Sequence, residues 1–176
     1  MSLNESKNKV FIYRIILVAI LVFAGYAVIS YVTTPKPLKN VESAKVSNKV
    51  NIDNAKFVNL VNEVRAKENL KPLTNNGLLE LSAELKADDM AEKDYFAHDS
   101  PTGTKPWAYF DKVEYDYTEA GENLARCFDT PEAFVAAWVA SPGHKKNIVG
   151  NYKDVGFGAA RADNGCLIVV NHFGKL

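Results

Sequence analysis

The sequence predicts an α+β domain carried behind an apolar N-terminal segment. Two observations predict the domain: apolar residues at helical spacing run from Phe57 to Ile148, and two strand-like runs joined by a turn close the chain. A third, the 18-residue run from Ile15 to Val32 without a charge, predicts the segment. At 176 residues there is room for one domain.

Formal neutrality, 21 basic against 21 acidic residues, is a sum over unlike parts. Residues 1–32 carry +2 and residues 33–52 carry +3, while 53–176 hold 14 basic and 19 acidic residues, or −5. A mildly acidic domain argues against a nucleic-acid partner. No charge lies between Arg14 and Lys36, and 15–32 is long enough to cross a hydrocarbon core, so it reads as a transmembrane signal anchor behind a short tail, 1–14. The alternative is a cleaved signal that releases a secreted protein. Gly25-Tyr26-Ala27 is a poor cleavage site, and the apolar run continues past it. Basic residues flank the span on both sides, so charge does not set its orientation. A short tail, one span and one domain is the layout of an exported protein tethered to the cell membrane, which places the domain outside the cytoplasm.

Thr33 to Ile52 contains Pro35 and Pro37, lacks helical or strand period, and reads as a flexible stalk. The domain is 53–176. Its two cysteines, Cys127 and Cys166, permit one disulfide if the domain is exported; in the cytosol the same pair would be buried thiols.

Within the domain, Asp53 caps a helix with Phe57, Leu60, Val61 and Val64 on one face, ended near Asn69 and Pro72. Asn75 or Asn76 starts a second helix whose predicted core stripe is Leu78, Leu81 and Leu85, continued by Ala87, Met90 and Ala91. Asp94 to Gly103 breaks the period and is a loop. Tyr115 to Tyr117 and Leu124 to Phe128 read as short strands, and the Trp107 to Tyr117 aromatics as core or flap packing rather than a ligand platform. Thr130-Pro131-Glu132 opens a third helix through Phe134 and Trp138, and Ser141-Pro142 opens another holding His144 to Ile148. Val155 to Ala160 and Cys166 to Phe173 form a hairpin across Ala162-Asp163-Asn164-Gly165. The result is a layered domain with helices on an antiparallel sheet.

Only three histidines occur, at 98, 144 and 172, and the first two sit beside Pro and Gly, where imidazole can bind a metal or move protons. No His-Glu-x-x-His helix, Gly-x-Ser-x-Gly elbow or glycine-rich phosphate loop is present. Glu122, between Gly121 and Asn123, reads as a carboxylate on an irregular segment, facing a cleft or tying loops together. Asn123 and Asn147 read as loop or cap residues.

Four segments together resemble the CAP superfamily, which contains the cysteine-rich secretory proteins, antigen 5 and pathogenesis-related protein 1. They are Asp94-Tyr95-Phe96-Ala97-His98-Asp99-Ser100-Pro101 with Gly103; Gly121-Glu122-Asn123-Leu124-Ala125; Trp138 with Ser141-Pro142-Gly143-His144-Lys145, Asn147 and Ile148; and Tyr152 with Val155-Gly156 and Gly158. The short Trp138 to His144 spacing resembles bacterial members. The resemblance implies a three-layer α-β-α sandwich of the CAP/SCP type, with a cleft collecting His98, Glu122 and His144. The family's second acid corresponds here to Ser141, which leaves a His-Glu-His cluster. What the resemblance implies for cofactors is a divalent metal such as zinc on His98 and His144, with Glu122 acting through water. His172 matches no site position.

Two function classes follow. The favoured one is a membrane-tethered extracytoplasmic module that binds a lipid, an envelope polymer or a protein partner. The alternative is a metal-assisted hydrolase or protease with His98, Glu122 and His144 as catalytic residues. A structural role for the cluster is a third possibility.

Overall fold

The computed structural model of the protein describes residues 50–176. The tail, the 15–32 span and nearly all of the stalk lie outside the described residues; among the described residues no helix is long and apolar enough to cross a membrane. The packed domain begins slightly before Asp53, because Val50 and Ile52 already lie against the core.

Local signals set the helix ends. Asp53 accepts from the Lys56 N–H (2.9 Å) at the start of α1 (Asn54–Lys67), and Asn69 ends it at φ 58°, a left-handed value that Asn tolerates. The pair Thr74–Asn75 forms β1, and Asn76 caps α2 (Gly77–Glu92) by accepting from Leu78 and Leu79 N–H. Unpredicted from sequence, a short helix α3 (Trp107–Lys112) follows the loop. Strand β2 (Glu119–Arg126) comes next; Tyr115 to Tyr117 is not a strand. Thr130 and Pro131 open α4 (Pro131–Ala140), and Ser141-Pro142 turns the chain into α5 (Pro142–Ile148). Strands β3 (Asp154–Arg161) and β4 (Leu167–Lys175) form the hairpin, with Gly165 at φ 81° in its turn.

The sheet order is β1-β3-β4-β2, with β3/β4 and β4/β2 antiparallel. The difference from expectation is β1, which is parallel to β3. Alternation sorts side chains to two faces. Phe157, Val169, Phe173 and Ala125 point to α1 and α4, where Phe57 stacks on Phe157 with centroids 5.0 Å apart. Leu124, Ile168 and Val170 point to α2. Helices therefore cover both faces of one sheet.

Helix α2 is turned relative to the predicted stripe. Leu78 and Leu81 are 38% and 36% exposed, and the buried face is Leu79, Ser82, Ala83, Lys86, Ala87 and Met90. The cause is a close approach to β3: a Cβ on Gly158 would stand 2.1 Å from the Glu84 backbone N, and one on Gly156 2.3 Å from that of Glu80. The helix backbone at Leu79 and Glu80 and at Ala83 and Glu84 lies directly on these glycines, which turns the Leu79, Ala83 side of the helix to the sheet. Gly158→Ala should therefore destabilise the domain by about 3 kcal/mol, since backbone rather than a flexible side chain must yield. Urea melts of the variant check this; a midpoint equal to the parent's would contradict the close packing.

Cys127 and Cys166 are disulfide-bonded, with Cα atoms 4.8 Å apart and a sequence separation of 39. They flank the far end of the β2/β4 ladder, where the Cys127 N–H donates to the Leu167 carbonyl (2.8 Å). Cys127→Ser with Cys166→Ser should cost up to about 4 kcal/mol, the chain-entropy value for such a loop. An unchanged denaturation midpoint would mean that the strand ladder alone closes it.

Candidate functional site

Glu122 lies within strand β2, the outer strand, and not on an irregular segment. Being even-numbered on that strand it shares the α2 face with Leu124, and its side chain is 2% exposed. An ionised carboxylate here needs donors. It has two: His98 Nδ1–H to Oε1 at 2.5 Å and His172 Nε2–H to Oε2 at 3.0 Å. His172 stands directly across the ladder from Glu122, is fully buried, and has Nδ1 2.5 Å from Ser82 Oγ on α2. A carboxylate only accepts, so Nε2 carries the His172 proton and Nδ1 accepts from the Ser82 hydroxyl. The chain Ser82, His172, Glu122, His98 thus runs from the interior to the surface.

The electrostatics follow. Burial pushes the Glu122 carboxyl up, but the hydrogen bonds from His172 and His98 and the charge of Lys86 outweigh it, so Glu122 titrates below its ordinary 4.5. The Glu122 hydrogen bond raises His98 above 6.5 against the opposing effect of burial. Burial lowers His172 and outweighs the pull of Glu122. Burial thus disfavours a second proton on the inner ring, while the Glu122 bond favours one on the outer ring.

Lys86 positions His98. Fully buried, its ammonium donates to the carbonyls of Ala97 (2.9 Å) and His98 (2.7 Å) and to the Tyr95 hydroxyl (3.1 Å), and sits 4.8 Å from the Tyr95 ring centroid. These bonds fix the loop backbone behind the His98 side chain.

His144 joins from the opposite layer. The Asn123 amide donates to the His144 carbonyl (3.1 Å), and Asn147 donates to the Glu122 carbonyl (2.9 Å) and to Asn123 Oδ1 (2.8 Å), so two asparagines fasten α5 to β2. Asn123 lies within β2 and Asn147 within α5, so neither is the loop residue expected. The His144 ring makes no hydrogen bond among the described residues; burial, and then the charge of His98, lower its pKa. The structure thus clamps His98 to Glu122 and brings His144 near without a direct bond.

A groove of about 610 Å³ lies beside β2, between the His98 loop and α5, with His98, Lys105, Trp107, Glu122 and Asn147 among its walls. Its donors do not fit a divalent cation. Both Glu122 oxygens hold imidazoles, Asp99 is paired with Lys105, and among the described residues no three His, Cys, Asp or Glu side chains could hold a metal ion. Beside the expected His98, His144 and Glu122 set stands His172, which bonds the second carboxylate oxygen and whose role the sequence did not reveal.

The model of the cysteine-rich secretory protein (CAP) family matches residues 58–173. The chain belongs to this family. Among CAP relatives, the uncharacterised protein YkwD of Bacillus subtilis is 43% identical over 104 residues, 58% of this chain and 40% of that protein. The uncharacterised membrane protein YlbC of the same bacterium is 29% identical over 106 residues, 60% of this chain and 31% of its own length. The chain thus spans less than half the length of these curated relatives. Among solved CAP-like structures, an extracellular SCP-domain protein of Bacillus anthracis superposes with a TM-score of 0.63 at 25% identity, covering 70% of this chain and 40% of that one. An outer surface protein of Borrelia burgdorferi gives 0.62 at 26% identity, covering 72% and 98%.

Against the CAP pattern quoted from the sequence, His98 and Glu122 are joined directly. Ser141, at the position of the second acid, serves as the hinge between α4 and α5, with no side-chain capping bond to α5. The second partner that Glu122 has in this chain comes instead from β4, as His172.

Proposed function

We propose that residues 53–176 form a membrane-tethered, extracytoplasmic recognition module that binds a ligand or partner in the groove beside β2. The observation that carries this reading is the state of Glu122: both oxygens of the groove's buried acid accept from imidazoles and hold them in place, so the acid orients a surface. The Ser82 hydroxyl, the one nucleophile in contact with the chain of histidines, is fully buried beneath it. Export is supported by the disulfide and by the printed descriptions of the Bacillus anthracis and Borrelia burgdorferi proteins as extracellular and outer-surface. Protease added to intact cells should degrade the domain; full protection would overturn the placement. His98→Ala should abolish ligand retention by the full-length protein while lowering its Tm only by what one lost Glu122 donor costs, the domain staying folded, and retention unaffected by that change would overturn the groove.

One observation favours a second reading. His98 offers its Nδ1 to Glu122 and keeps Nε2 free on a half-exposed ring, the arrangement of a general base aimed at a water. On that reading hydrolysis is lost in both His98→Ala and Glu122→Gln, without metal assistance. An activity indifferent to both excludes it.

A further inference from the structure

The charges around the groove are already paired. Glu122 carries His98 and His172, and Asp99 accepts from Lys105. A ligand therefore gains little by bringing net charge, and a strongly charged one must first break a pair. The walls are mixed, five of the nine residues being polar or charged and the rest apolar or glycine, so a ligand with both kinds of surface fits them better than a bare alkyl chain.

What the walls do offer is hydrogen bonding of both senses ending on an aromatic surface. The Asp99 carboxylate accepts, the Lys105 ammonium donates, and the free His98 Nε2 and Asn147 are also among the walls. Trp107 is the aromatic wall residue. Its indole is held edge-on to Phe110 (centroids 5.7 Å apart) and leans on Tyr117 (6.4 Å), itself 36% exposed, so the platform is rigid yet reachable. A pyranose has the matching chemistry: an apolar C–H face for an indole, and a rim of hydroxyls that both donate and accept. The groove volume of about 610 Å³ lies in the ligand-sized range, and the groove is open to solvent rather than enclosed, as a chain requires.

We propose that the groove binds an uncharged polysaccharide strand, with one sugar face on Trp107 and its hydroxyls bonded by Asp99, Lys105 and His98. This rests on the reading of the groove as a recognition site and names its ligand class.

The test uses the full-length protein titrated with a soluble oligomer of N-acetylglucosamine, a soluble cellulose oligomer, a sulfated dextran and phosphatidylglycerol vesicles. Binding is followed by calorimetry and by tryptophan fluorescence, where Trp107 is the partly buried indole and Trp138 the fully buried one. The expected result is binding of a neutral oligomer that persists at high salt, and is weakened about tenfold or more by Trp107→Ala and, at unchanged Tm, by Asp99→Asn. Trp107→Phe, which keeps a smaller ring, should retain intermediate affinity, so a folding defect in the alanine variant does not blunt the test. Neutral oligomers that fail to bind while the sulfated polymer or the vesicles bind in a His98-dependent way overturn the glycan inference and leave the recognition reading standing. Binding equal in parent and Trp107→Ala also overturns it. Silence from all four probes overturns both.

Discussion

Glu122→Ala should lower the stability of the domain by about 3 kcal/mol and cut His98 loose from the sheet. The carboxylate is 2% exposed and bonds two imidazoles, so its removal strands the Nε2–H of a fully buried His172 and leaves the space of the side chain empty. An unmet buried donor costs about 1–3 kcal/mol, and each lost methylene about 0.8 more. Glu122→Gln keeps the volume and should cost less, because His172 can change tautomer and accept from the amide, donating in turn to Ser82 Oγ. The two variants also differ from the parent in pH dependence. Glu122 titrates below 4.5 in the fold, so its contribution is complete above that value and is lost as pH falls through the depressed one. His98 titrates above 6.5, so its contribution is complete below 6.5 and is lost as pH rises through the raised value. His172, lowered, weakens the fold as pH drops below 6.5, where the unfolded chain takes up a proton that the buried ring refuses. Denaturant melts from about pH 4 to about pH 9 should show the alkaline loss in the parent and not in Glu122→Gln. Parallel curves would mean that His98 and Glu122 are not coupled.

Arg65→Met should cost about 4 kcal/mol, although it touches no groove residue. The guanidinium is 3% exposed and donates to three carbonyls: Lys71 (2.9 Å), Ile148 (2.8 Å) and Gly150 (2.8 Å). It closes the C-terminal turn of α1 over the end of α5. Methionine fills similar volume but leaves all three acceptors without that donor, each bond to a charged group being worth roughly 1.5–3 kcal/mol and the set less than its sum. Because α5 carries His144 and Asn147, the loosened end should also weaken binding in the groove. Urea midpoints measure the first effect; a loss below about 1 kcal/mol would show that water replaces the guanidinium without penalty.

Sequence made the helix ends and the hairpin legible because their causes are local. Asp53, Asn76 and Thr130-Pro131 act within one turn, and Gly165 within its own loop. His98, Glu122 and the Cys127–Cys166 pair were legible too, the first two through the motif around them. Ser82, Lys86 and His172 were not. Polar residues at helical spacing read as a solvated face, and a histidine in an apolar run reads as the interior of a strand. What buries them is distant in sequence: Gly156 and Gly158 admit α2 so closely that the Ser82 and Lys86 side of the helix, not the Leu78 and Leu81 side, faces the sheet. Glu122 was misplaced on a loop for a related reason. Gly121-Glu122-Asn123 looks too polar for a strand, but each polar side chain has partners distant in sequence, His98 and His172 for Glu122 and Asn147 for Asn123.

The most direct measurement is an NMR titration of the full-length protein, carbon-labelled at glutamate and histidine side chains and assigned with Glu122→Gln and His172→Gln. A clamped Glu122 should titrate below 4.5 and His98 above 6.5, with the His172 ring still neutral below 6.5. Glu122 titrating at or above 4.5 together with His98 at or below 6.5 would show that no clamp exists, and the groove would lose the fixed surface on which its recognition role depends.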